Sequence, residues 1–120
     1  MAQIALNKFR TIRVGVTTEM VGIYTCPIGV ASIVILSQVT NVSEGVAKSV
    51  YNVTAVHSRP FDTPKTEYKI ANDVSIPPND AFNIVSDGRL ALETNDIIKI
   101  QANENNVLEL VLSVLETAKG

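Results

Sequence analysis

His57 is the only histidine of this 120-residue chain, and Cys26 is the only cysteine. A Ser-His-Asp or Cys-His relay needs an imidazole to take the nucleophile's proton, so any such site must run through His57. It stands in YNVTAVHSRP, on one strand face with Tyr51 and Val53 and beside Ser58-Arg59-Pro60. A histidine there is expected to cap the strand or hydrogen-bond a loop. Cys26, in IYTCPIG, has no cationic neighbour in sequence of the kind a reactive thiol needs, and reads as a small buried hydrophobe. Zinc takes three or four Cys, His or carboxylate ligands, which two Cys/His residues cannot supply in the usual sets. Asp62, Asp73, Asp80, Asp87, Asp96 and Glu104 offer oxygen ligands in turns, but no stretch follows the calcium-loop pattern D-x-[DN]-x-[DN]-G. With no Trp, three Tyr and three Phe, the chain lacks the aromatic platforms of a sugar site. No glycine-rich phosphate loop occurs. The sequence predicts no catalytic residue, no metal and no cofactor.

The elements that would position any site read as strands. In IPPNDAFNIVSDGRLALETNDIIKI, residues 76 to 100, apolar pairs alternate with turn chemistry. Phe82 and Ile84, Leu90 and Leu92, and Ile98 and Ile100 keep a period of two between Pro77 to Asp80, Asp87-Gly88 and Asn95-Asp96. Thr66, Tyr68 and Ile70 alternate with Glu67, Lys69 and Ala71. Ala31 to Val42 is β-branched at its centre and begins apolar on both faces, as a central strand would. Val50 to Val56 carries Val, Tyr and Thr and fits another strand. Val107 to Thr117 could wind as a helix capped by Asn106, with Glu109 in the capping-box position. Its valines and its all-β context favour a strand with Leu108, Leu110, Leu112 and Val114 on one face. The reading is an all-β, antiparallel β-sandwich, either jelly-roll or Ig-like.

Residues 1–12 differ from the rest and are set apart as a short N-terminal arm, with 13–120 as a single sandwich domain. Ile4, Leu6 and Phe9 are apolar anchors, Lys8 and Arg10 are basic without an acid beside them, and Arg13 follows. These residues are expected to contact a neighbouring subunit, as are Arg59 and Phe61 of the Arg59-Pro60-Phe61 loop. A net charge of −2 and a pI near 5.3 supply no basic field for nucleic acid. The longest apolar run, Ile33 to Leu36, is far short of the roughly 20 residues of a membrane span. MAQIALNKFR lacks the features of a signal peptide, and a lone cysteine excludes an intrachain disulfide framework. A mean hydropathy of +0.20 with 18% charged residues suggests apolar surface that meets other subunits.

IYTCPIGVASIVILSQVTNV, followed by SIPPNDAFNIV, LALETNDIIKIQANENN and LSVLETA, resembles the small structural proteins of tailed bacteriophage virions, and is most similar to those of cyanophages and related marine phages. Tyr24, Thr25, Pro27, Gly29 and Asn41 match the group's first strand-turn-strand. Ile76, Pro77, Asn79 and Asp80 match its later turn, and Leu90, Leu92, Glu93, Asp96 and Ile98 its last hairpin. The resemblance covers roughly residues 13–118. Asn95-Asp96 stands where the group often has Gly-Asp, which keeps the turn with a residue less suited to positive φ. The resemblance implies a β-sandwich that assembles on the virion, with no catalytic residues to carry over. The expected role is a capsid decoration or cement protein, made in the host cytoplasm and located in the virion. Its expected partners are the major capsid protein, other virion proteins and its own copies, with no nucleic acid and no membrane. A tail, neck or fibre component, or a host-surface-binding module, are the alternatives.

Overall fold

The computed structural model describes residues 7–85 and 89–118. Among them, nine strands and one 3-10 turn (Gly45–Ala47) are formed, and no α-helix. The strands are β1 (Asn7–Gly15), β2 (Val21–Thr25), β3 (Val30–Asn41), β4 (Tyr51–Ser58), β5 (Glu67–Ile76), β6 (Ala81–Asn83), β7 (Leu90–Leu92), β8 (Ile97–Ala102) and β9 (Leu108–Ala118). One sheet runs β1-β9-β3-β6 with β7 also on β3, and the other runs β2-β8-β4-β5.

All of the pairings are antiparallel, and they nest. β1 pairs β9, β2 pairs β8, β3 pairs β6 and β7, and β4 pairs β5. That is one long hairpin whose tip is the β4–β5 connection. Two further pairings, β3 with β9 and β4 with β8, roll it up. Strands β1 to β4 therefore alternate between sheets, whereas an Ig-like sandwich keeps its first two strands in one sheet. The fold is a jelly roll.

The core lies between the sheets. Leu108, Leu110, Leu112 and Val114 of β9, with Val34 and Val39 of β3 beside them in the same sheet, face Ile98 and Ile100 of β8 and Val53 and Ala55 of β4. The segment read as Val107 to Thr117 forms the strand Leu108–Ala118 because its period-two face is the one buried between the sheets, with β1 and β3 pairing on both of its edges. Leu92 and Ile98 are buried, as their flanking turns predict. The turns before β6, β8 and β9 place Asn79, Asn95 and Asn106 at φ 64°, 73° and 65°. Asparagine is the non-glycine residue that enters this left-handed region most readily.

Three placements depart from the sequence reading. Residues 7–12, taken as the second half of an arm, pair with 112–117 as the first six residues of β1. The boundary drawn at residue 12 falls inside a strand, and Ile4 and Leu6 lie outside the described residues. The outward face of β3, expected to be buried like the inward one, is open to solvent. Tyr68, placed on an apolar face by alternation, is 56% exposed with the Lys65 ammonium 4.5 Å from its ring centroid. Tyr68 pairs with His57 on the last strand of its sheet, and a side chain on this edge stays open to solvent although its register matches the buried Ile98.

Leu112 and Leu92 are each 1% exposed between the sheets. Leu112→Ala and Leu92→Ala are each expected to cost about 2–5 kcal/mol in denaturant unfolding, by lost transfer energy and cavity formation. Unchanged unfolding midpoints in both variants would mean that the two sheets do not pack on this face.

Candidate assembly surface and the polar clusters that frame it

At the end of the roll that carries the β4–β5 tip, a carboxylate is fully buried. Asp96 has 0% side-chain exposure. It accepts hydrogen bonds from Arg59 Nε (2.9 Å) and Nη2 (2.8 Å), from the Glu93 backbone N–H (2.9 Å) and from His57 Nε2 (2.9 Å). An ionised carboxylate only accepts, so the imidazole is the donor. Burial alone would raise the Asp96 pKa, but the bonds from Arg59, the Glu93 N–H and His57 outweigh it and hold the group at about 2. The Asp96 carbonyl also accepts from the Cys26 N–H, and the Cys26 carbonyl accepts from the Asn95 N–H. One side chain thus ties the end of β4 to the β7–β8 turn, whose backbone in turn holds the β2–β3 turn.

The opposite end of β3 is closed by an amide. Asn41 donates through Nδ2 to the carbonyls of Ser49 and Ile76, both at 2.8 Å, and its Oδ1 accepts from the N–H and hydroxyl of Ser43. Its backbone pairs with the Asn79-Asp80 turn. A third cluster bridges the sheets. Tyr24 of β2 donates its hydroxyl to Glu116 of β9 at 2.6 Å and lies 2.7 Å from the Ser32 hydroxyl of β3, while Arg10 of β1 lies 3.4 Å from Glu116. Burial, then its bond to the Glu116 carboxylate, holds the Tyr24 phenol above its ordinary pKa. Cys26 is buried, with Sγ 3.3 Å from both Ser32 Oγ and the Val30 carbonyl.

His57 and Asp96 are two members of a relay, but the carboxylate is shared with a guanidinium. Among the described residues, no Ser, Thr or Cys side chain hydrogen-bonds the imidazole, and no group of three or more His, Cys, Asp or Glu could hold a metal ion. The geometry is that of a structural lock.

The outer faces of the two sheets differ. On β2-β8-β4-β5 the outward side chains satisfy one another: Lys99 pairs with Glu67, Asn52 donates to Asp73, Ser75 donates to Asn52, and Gln101 reaches the Thr18 carbonyl. On β1-β9-β3-β7 one register row is apolar from edge to edge. Phe9 lies opposite Leu115, Leu115 opposite Ile33, and Ile33 opposite Ala91. A bulge between Val34 and Leu36 adds Ile35 beside it. Phe9 is 72% exposed, and Ile33, Ile35 and Leu36 are 38%, 42% and 40% exposed.

The predicted contact residues separate accordingly. Phe9 and Arg13 fall on this outer face. Lys8 and Arg10 alternate to the other side of β1, where Arg10 meets Glu116. Arg59 is spent on Asp96, and Phe61 is exposed on the β4–β5 connection. Sequence reasoning missed Leu115, Ile35 and Leu36 as surface. The signal was present as consecutive apolar residues in VASIVILSQ, but it also fits a strand covered on both faces.

No family model matches the chain, and no curated protein sequence is similar to it. Solved structures share the fold. A chain of the disulfide-linked pili of Bacillus endospore appendages superposes with a TM-score of 0.55 at 9% identity, over 95% of this chain and 87% of that one. A chain of the acid-stable capsid of Helicobacter pylori bacteriophage KHP30 does so with a TM-score of 0.52 at 12% identity, over 98% and 94%. A chain of the T13 IBDV viral particle matches at 0.50 and 11% identity, with 93% of this chain covering 31% of that one. The jelly roll seen here is therefore a fold that viral capsid and pilus proteins also use.

The unfolded Asp96 carboxyl has the ordinary pKa of 3.8 and the folded one about 2. The folded value is the lower, so the lock contributes fully above the unfolded pKa and is lost as pH falls through the folded one. The contribution is roughly 2 kcal/mol. Asp96→Asn is expected to lower stability at neutral pH by about 2 kcal/mol, because it removes the charge that Arg59 and His57 hold, while Arg59 keeps Glu93 at 3.4 Å. It is also expected to flatten the stability profile between about pH 5 and pH 2. Parallel profiles for the two proteins in acid denaturation would remove Asp96 from this role.

Proposed function

We propose that this chain is a structural subunit of a tailed-bacteriophage virion, and within that class a capsid decoration or cement protein. The observation that carries the proposal is a jelly roll occupying the described chain, with polar clusters turned inward and a contiguous apolar row on the outer face of one sheet. A catalytic domain gathers its reactive groups in a cleft. Here the buried charges hold strands together, and the unspent surface is aliphatic and aromatic. The fold shared with a bacteriophage capsid chain over nearly the full length of both supports the reading, as do the motifs that resemble cyanophage structural proteins. Phe9 and its row would bury against neighbouring subunits, with Arg13 and the exposed Phe61 as flanking contacts. The partners would be the major capsid protein, other virion proteins and further copies of this chain. A tail, neck or fibre position would use the same surface in a ring or trimer.

A pilus subunit is the second reading, favoured by the fold shared with the endospore appendage chain. That assembly is disulfide-linked. Cys26 is the only cysteine here and is 0% exposed, so cross-links of that kind have no accessible thiol.

Quantitative mass spectrometry of purified particles from cells making this protein tests the proposal. The expected result is co-purification with particles at a fixed, high copy ratio to the major capsid protein. Recovery only in the soluble lysate, or as filaments without capsid protein, would overturn it.

A further inference from the structure

We infer that the outer face of β1-β9-β3-β7 is a self-association surface, and that its occupant is a second copy of this chain. The inference rests on the structural-subunit reading and names the partner and residues through which a first contact forms.

The centre of the face is the row Phe9, Leu115, Ile33 and Ala91, widened by Ile35 and Leu36. The next row outward, Thr11 and Ser113, is uncharged and joined by a 3.1 Å hydroxyl contact. Charges begin only at the margins. Arg13 and Glu109 lie along β1 and β9, and Arg89 and Glu93 immediately flank β7 in the chain. A dry apolar centre inside a charged rim is the anatomy of a protein–protein interface.

Two observations select a copy of the same chain over a foreign partner. The first is charge. Each margin holds one Arg and one Glu, so a two-fold through Leu115 sets a mixed rim against a mixed rim. It also lays Phe9 of one copy on its counterpart or on the Ile33–Leu36 surface of the other, with no charge inside the contact. A face of one sign would need an oppositely charged partner; this one is its own complement. The second is area. β1, β9 and β3, spaced about 4.8 Å apart over roughly nine residues of about 3.3 Å, give with the three residues of β7 a face of roughly 480 Å² before side-chain relief. Phe9, standing clear of the sheet, and the exposed Ile35 and Leu36 add relief to it, towards the roughly 800 Å² per partner of a stable interface.

The bulge at Ile35 bears on the same point. A regular β3 would have sent Leu36 inward, opposite Leu112; the register shift between Val34 and Leu36 instead sets Leu36 opposite the outward Ser113 and leaves Ile35 and Leu36 both exposed. Bulges re-aim side chains. This one puts two adjacent large hydrophobes on the surface, where a monomer gains nothing from them.

Sedimentation velocity across the micromolar range, with thermal unfolding as the folding check, tests the inference. The wild-type chain is expected to dimerise. Phe9→Glu and Leu36→Glu, both at exposed positions, are each expected to keep the melting temperature of the isolated fold and to weaken dimerisation by roughly 30-fold or more. Tyr68→Glu, on the other sheet, is expected to dimerise like wild type. A monomeric wild type, or dimers that survive in the Phe9→Glu, Leu36→Glu double variant, would overturn it. If either single variant unfolds, Thr11→Arg at the rim of the row replaces it, with the same expected loss of dimer. The two readings fail separately: a monomer that still enters particles would sink the inference alone, and a dimer absent from particles would sink the virion proposal alone.

Discussion

A rolled hairpin has to fix its tip against its middle, and in this chain a single buried negative charge does so. Asp96 lies in the β7–β8 turn, and its carboxylate is held by Arg59 and His57 from the β4 side. Burying an unpaired carboxylate would cost several kcal/mol, so the burial is tolerable only when the tip is folded back onto this turn. The requirement is directional. A two-point guanidinium bond fixes orientation as well as distance, which a hydrophobic contact here would not. Asn41 closes the far end in neutral form, spending its amide on two carbonyls and one serine. Between these clusters Leu108, Leu110, Leu112 and Val114 of β9 run through the core, each at most 1% exposed.

With both ends and the core committed, the outer faces remain, and they are not equivalent. One is covered by mutually satisfied polar side chains and contributes little beyond solubility. The other exposes an apolar row that does nothing for the isolated fold. The same strands serve both ends of this division. Residues 110, 112 and 114 build the core, while residues 111, 113 and 115 face away. A period of two lets one strand hold a domain together and offer a contact at once.

The class of fold was legible because alternation and turn chemistry are local. Phe82 and Ile84, Leu92, and Ile98 and Ile100 fell on the faces that their spacing predicts, and asparagines took the positive-φ turn positions. Jelly roll against Ig-like was not legible, since it depends on pairings such as Asn7 with Thr117 that join the two ends of the sequence. Asp96 read as a turn residue, which it is. Its burial depends on partners 37 and 39 positions away and leaves no local trace. The apolar face hid for another reason. VASIVILSQ is compatible with a strand covered on both sides or on one, and only the number of layers decides between them. Arg59, read as a contact to a neighbouring subunit, is the counter-ion of a carboxylate whose burial no local pattern marks.

A structural subunit of this kind has its β1-β9-β3-β7 face covered when it is in its working assembly. Hydroxyl-radical footprinting with mass spectrometry reads this directly, by comparing side-chain oxidation in the free monomer and in purified particles. Phe9, Ile33 and Leu36 are predicted to lose most of their labelling in particles, while Tyr68 on the opposite sheet keeps its own. Equal labelling of Phe9 and Leu36 in both states, or protection confined to Tyr68 and Phe61, would contradict the account.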